Sequence, residues 1–116
     1  MTENVRKRAN TQDLEAVESP EGIARTTVAY ATDTMLCHFK MKKGASIPLH
    51  HHPAAQTGYI ISGKVKFKTG DGSSTFIAGP GCGYAFESEE PHGAEVLEDS
   101  EVLEVFAPMR PEYADN

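Results

Sequence analysis

The sequence predicts an all-β protein, an antiparallel barrel or sandwich, and three observations carry that prediction. Apolar residues recur at every second position in several runs, the period of a half-buried strand. Turn-forming residues interrupt these runs every six to ten residues. No stretch of about 10 to 12 residues places apolar side chains at the spacing of an amphipathic helix.

Taken in order, residues 1–22 are polar and charged, and read as a tail or an edge segment that crosses to a partner subunit. Residues 23–116 then form one barrel domain, which suits a chain of 116 residues. Residues 25–30 have β-branched character. Over residues 35–42 the alternation is clean: Met35, Cys37, Phe39 and Met41 on one face, Leu36, His38, Lys40 and Lys42 on the other. A turn follows at 43–46, and a strand at 47–52 whose Pro48 suits an edge or a strand start. Residues 57–62 form a short strand, Gly63 breaks it, and 64–69 resume it. Gly70-Asp71-Gly72 is a tight hairpin turn, because glycine accepts the positive φ such turns need. Return strands follow at 74–78 and 83–87, separated by Gly79-Pro80-Gly81. Residues 92–97 are a strand, Glu98-Asp99-Ser100 a turn, 101–107 the last strand, and 108–116 a polar tail.

The formal net charge is −6. That balance argues against nucleic acid as a partner, since neutralising phosphates takes a basic patch, and Arg6-Lys7-Arg8 is short and terminal. No apolar run reaches 18 residues and no signal peptide is visible, so neither a membrane span nor export is expected, and the protein reads as cytoplasmic. The two cysteines make no disulfide framework and lack CxxC spacing. Cys37 reads as a small buried hydrophobe and Cys82 as a turn residue.

The chemistry concentrates in residues 44–63. His50 and His52 are two apart, so on a strand they share a face and suit adjacent positions on one metal ion, whereas His51 points away. Gln56 follows four residues after His52, and His92 opens a later apolar run. His38 reads as a bystander. In the last strand Val102, Glu104 and Phe106 share one face and Leu103 and Val105 the other; the pattern alone leaves open which face is inside. Tyr59 and Tyr84 read as packing residues with a proton-donating alternative. Arg110 reads either as an exposed tail charge or as a bidentate grip on a carboxylate.

Gly44, five residues, His50, one residue, His52, three residues, Gln56, six residues, Gly63 resembles the first motif of the cupins, with Gln56 where Glu is commoner. Of the second cupin motif Gly81 and His92 survive, while Glu87, Glu89 and Val96 replace its Pro, Gly and Asn. The resemblance covers residues 35–110 and implies a double-stranded β-helix, an antiparallel jelly-roll barrel. A narrower likeness, through His52-Pro53, Gly58-Tyr59, Ser62-Gly63, Val105-Phe106, Pro108 and Arg110, is to the small cupins of pectin and alginate breakdown. Those proteins open the ring of 4,5-unsaturated uronates to linear ketouronates.

The resemblance implies a divalent metal ion (Zn, Ni, Fe, Mn or Co) on His50, His52, Gln56 and His92. It implies that Glu104, Phe106 and Arg110 border a small anionic substrate. The family pattern has Asp where this chain has Glu104, one methylene longer. The chain is accordingly expected to be a metal-dependent enzyme on a carboxylated sugar-like molecule, working as a homodimer. The alternatives are a non-catalytic metal- or sugar-binding cupin and a metal-dependent dioxygenase or lyase.

Overall fold

A computed structural model describes residues 5–114. Among these the regular elements are eight strands and two short 3-10 turns: β1 Val17–Glu18, β2 Ile23–Ala31, β3 Thr34–Met41, β4 Ser46–His50, β5 Ala55–Thr69, β6 Ser74–Ala78, β7 Gly83–Phe86 and β8 His92–Ala107, with turns at Thr11–Asp13 and Pro111–Tyr113. All pairings are antiparallel. The order is β1-β2-β3-β8-β5-β6, with β4 also on β8 and β7 also on β5.

The long strands β5 and β8 organise the molecule. The first half of β5 lies between the second half of β8 and β7; its second half lies between the first half of β8 and β6. The second half of β8 also pairs with β3, and its first half with β4. Both strands therefore pass from one sheet into the other, which makes a jelly-roll sandwich around one core.

The expected break at Gly63 and the expected turn at Glu98-Asp99-Ser100 are corrected by this geometry. They are one shared corner inside two continuous strands, where the β5–β8 register shifts between Ile60 and Val65. Gly63 has φ +93, and a Cβ there would lie 2.1 Å from Ser100 Oγ. Ser100 Oγ accepts the Lys64 N–H at 2.9 Å and donates to the Glu98 carbonyl at 2.7 Å, so the polar groups that lose ladder partners at the bulge are still satisfied. Turn-like composition marked the corner; only the facing strand reveals that pairing continues through it.

The alternation in β3 is met: Met35, Cys37, Phe39 and Met41 are all buried. Val102, Glu104 and Phe106 of β8 face the core and Val105 is exposed, which decides the face left open by the sequence. At the N-terminus, β1 adds to the edge of β2, and Arg6 bridges to Tyr30. The C-terminal segment is not a free tail. Its 3-10 turn brings Tyr113 edge-on to Phe106, with centroids 5.6 Å apart, and Ala114 is fully buried. No helix among the described residues is long and apolar enough to cross a membrane.

Candidate metal centre and active site

Two pieces of chain deliver the three histidines. His50 ends β4, His52 lies just beyond it rather than in the strand expected through 52, and His92 begins β8 opposite His50. The Glu89 N–H donates to the His52 carbonyl at 2.8 Å, tying the two loops together. One ring nitrogen from each of the three lies within 4.8 Å of the other two. His51 instead points outward to Glu89, at 2.8 Å, and His38 is buried elsewhere against Glu101.

The hydrogen bonds set the tautomers. Nδ1 of His50 faces the Pro48 carbonyl at 2.9 Å, Nδ1 of His52 the Ala54 carbonyl at 2.8 Å, and Nδ1 of His92 the Glu90 carbonyl at 2.8 Å. A carbonyl only accepts, so each Nδ1 carries the hydrogen and each Nε2 keeps its lone pair. His92 Nε2 is buried without a hydrogen-bond partner. Burial pushes the His92 imidazole down to about 4, and burial and then the Arg110 charge lower His52, so both rings stay neutral near pH 7.

Gln56 adds an oxygen donor beside the three rings. Its Nε2 donates to Glu104 Oε2 at 3.0 Å, which turns its Oε1 toward His52 Nε2 at 3.1 Å. Two lone-pair atoms facing each other at that distance repel unless a cation lies near both. With the orphaned Nε2 of His92, this is the arrangement a divalent ion requires: neutral imidazoles oriented by carbonyls, and a neutral amide oxygen oriented by a carboxylate.

Glu104 is 6 % exposed, and burial pushes its carboxyl up to about 7 despite hydrogen bonds from Tyr84 and Gln56 that pull it down. Both bonds land on Oε2, with the Tyr84 O–H at 2.5 Å. Oε1 is thereby left for a bound molecule, and Glu104 lines the cavity together with His50, Gln56, His92, Phe106 and Arg110. The sequence reads Tyr84 as a packing residue with a proton-donating alternative, and does not show that its hydroxyl meets Glu104. A signal was present in Gly58. Gly58 pairs with Tyr84 on one side and Glu104 on the other, and a Cβ there would sit 2.1 Å from the Tyr84 ring. The bare backbone lets the phenol reach across to the carboxylate.

Replacing Gly58 by Ala is expected to lift Tyr84 off Glu104 and to destabilise the protein by about 1–3 kcal/mol, the usual cost of overpacking. Urea unfolding measures the stability; ultraviolet titration of tyrosine measures the phenol, which burial and then Glu104 now hold well above its ordinary range.

Arg110 stands at the cavity rim, half-buried, with Nε and Nη2 on Glu112 Oε2 at 3.0 and 2.9 Å. Its guanidinium lies 5.1 Å from the Phe106 ring centroid. The N-terminal segment contributes Ser19 and Pro20 to the same lining.

These pKa shifts predict the acid behaviour of the metal-free protein. His92 is lowered from 6.5 to about 4, so its contribution is complete above pH 6.5 and is lost as pH falls through 4, and His52 acts in the same direction. Glu104 is raised from 4.5 to about 7, so its contribution is complete below pH 4.5 and is lost as pH rises through 7. Between 4.5 and 6.5 the two oppose each other. Metal-free Glu104→Gln protein is therefore expected to gain about 3 kcal/mol from pH 4 to 6.5, a slope the parent nearly lacks. Denaturant melts across that range check it; equal slopes in both proteins would refute it.

The family model described as "Cupin domain" matches residues 37–107. KdgF from Halomonas sp. superposes with TM-score 0.83 at 27% identity, over 91% of this chain and 98% of that one. An RmlC-like cupin from Shewanella frigidimarina gives TM-score 0.84 at 20% identity over 91% and 94% of the two chains, a likeness of fold. The polyketide cyclase RemF from Streptomyces resistomycificus gives 0.75 at 25% identity over 90% and 81%. No curated protein matches the chain in sequence.

Proposed function

The chain belongs to the cupin family, and on that premise we propose that it is a metal-dependent enzyme acting on a small carboxylated sugar, with ring opening and tautomerisation of 4,5-unsaturated uronates as its reaction. One observation carries the reading: a buried carboxylate, Glu104, with both of its hydrogen bonds on one oxygen, lining a cavity that has His50, His92 and Arg110 on its walls. The sequence resemblance to the uronate-opening cupins and the similarity to KdgF along nearly the whole of both chains support it.

His50, His52, Gln56 and His92 would hold the ion. When bound there, a divalent ion supplies Lewis-acid polarisation of a substrate oxygen and, with four neutral ligands, its full double charge. Glu104 takes the hydroxyl proton at the anomeric carbon as the ring C–O bond breaks. It then returns that proton to the ring-opened enolate at carbon, which leaves the ketone. One proton moves from oxygen to carbon and no redox partner is needed. A carboxyl near 7 serves both steps at neutral pH. Tyr84 and Gln56 keep Glu104 pointed at the cavity. Arg110 exchanges its exposed partner Glu112 for the substrate carboxylate, and Phe106 supplies an apolar wall.

Residues 23–116 act as one catalytic domain in this reading, in a cytoplasmic homodimer. The free edge of β1 is the surface through which two copies would pair. The function is tested by NMR product analysis of metal-loaded protein with freshly made 4,5-unsaturated galacturonate. The expected result is accelerated appearance of the linear ketouronate, abolished by a chelator. A protein that holds its metal and leaves the spontaneous rate unchanged would overturn the reading.

A further inference from the structure

We propose that Arg25 is a positioning residue for Arg110, acting through the ring of Tyr113, and so sets how tightly the cavity grips a carboxylate. The proposal rests on the reading of Arg110 as the carboxylate-binding group. Arg25 belongs to β2, on the inner face between Ile23 and Thr27, and is 8 % exposed. A guanidinium so deeply buried ordinarily has a carboxylate beside it, because a desolvated charge is costly unless paired. Among the described residues Arg25 has none. Its Nη1 donates to Thr27 Oγ1 at 2.6 Å and to the Tyr113 carbonyl at 3.3 Å, both neutral acceptors.

The same guanidinium lies 4.0 Å from the Tyr113 ring centroid, and that of Arg110 lies 4.1 Å from it. One aromatic ring thus carries two cations, the inner one anchored in a strand and the outer one on the C-terminal turn. The turn's own hydrogen bonds, Tyr113 N–H to the Arg110 carbonyl and Ala114 N–H to the Pro111 carbonyl, are local and do not fix it to the barrel. Arg25 does, by stacking on the ring and bonding the carbonyl of one residue. Only arginine does both, since lysine has neither the planar face nor the fork. Two cations sharing one ring, with a single exposed carboxylate on the outer one, leave a positive rim suited to an anion.

The test uses full-length, metal-loaded Arg25→Met and Arg25→Lys proteins. Amide hydrogen exchange at Tyr113 and Ala114 is expected to speed up at least about tenfold in Arg25→Met, with β5 and β8 unchanged. KM for 4,5-unsaturated galacturonate should rise about tenfold, the scale of one charge-assisted hydrogen bond, with kcat within about twofold. Arg25→Lys should resemble Arg25→Met, because charge alone does not stack. Should Arg25→Met not fold, Arg25→Lys and Tyr113→Leu make the same comparison. Wild-type exchange at Tyr113 and Ala114 in the variants, or a fall in kcat at constant KM, would overturn the proposal. If the turn loosens while the parent protein turns over no uronate, the anchoring role stands and the uronate reading fails.

Discussion

Glu104→Gln is expected to lower kcat by about 10²–10⁴-fold, the range that one positioned proton-transfer group supplies, with metal content unchanged. Gln keeps the shape of the side chain and an oxygen that can still accept from Tyr84 and Gln56. What it loses is the ability to take and return a proton. The pH profile provides an independent check. Glu104 must be ionised to accept the substrate proton, so kcat/KM in the parent should fall as pH drops through its pKa. That pKa is about 7 for the metal-free carboxyl, and a bound cation lowers it. The acid limb should vanish from the residual activity of the variant. The substitution should also stabilise metal-free protein at pH 8 by about 3 kcal/mol, because it removes a carboxylate that burial penalises. Full ring-opening activity in a metal-loaded Glu104→Gln protein would end the proposed role.

The second large effect belongs to the histidines. His92→Ala removes a donor whose Nε2 is buried and unpartnered, and should abolish specific binding of a divalent ion. In the parent, an ion at about 100 times its Kd should stabilise the fold by about 2.7 kcal/mol and raise Tm by roughly 10 °C. His92→Ala should show no shift and no turnover. Isothermal titration with Zn, Ni, Mn and Co, beside thermal melts, distinguishes this from simple unfolding. A parent-like shift in His92→Ala would place the metal elsewhere.

Much of this was legible in the residues. The two-residue alternation of Met35, Cys37, Phe39 and Met41 named a core face, because strand geometry makes burial a matter of parity. The motif spacing from Gly44 to Gly63, with His92, pointed to the three rings that the fold brings together. Other features were not legible for identifiable reasons. Gly63 and Ser100 look like turn residues, and only the facing strand turns them into one bulged corner. Tyr84 reads as packing or as a proton donor, and its contact with Glu104 stays hidden because it reaches across the missing Cβ of Gly58, the strand partner of both. Arg25 sits in a β-branched run, and nothing local says that its side chain points inward to meet a ring 88 positions later.

By itself, then, the sequence determined the strand class, the inward parity of β3 and the identity of the candidate donors, since each follows from periodicity or spacing within one segment. The tertiary structure decided everything that depends on two segments meeting. It turned Glu104 inward and raised its pKa through burial. It set the three imidazole tautomers against backbone carbonyls and aimed the Gln56 oxygen by way of Glu104. It folded the C-terminal turn over the barrel mouth. The division has a physical cause: backbone geometry is local, whereas desolvation, hydrogen-bond partnership and the approach of like lone pairs arise only when distant segments pack against each other.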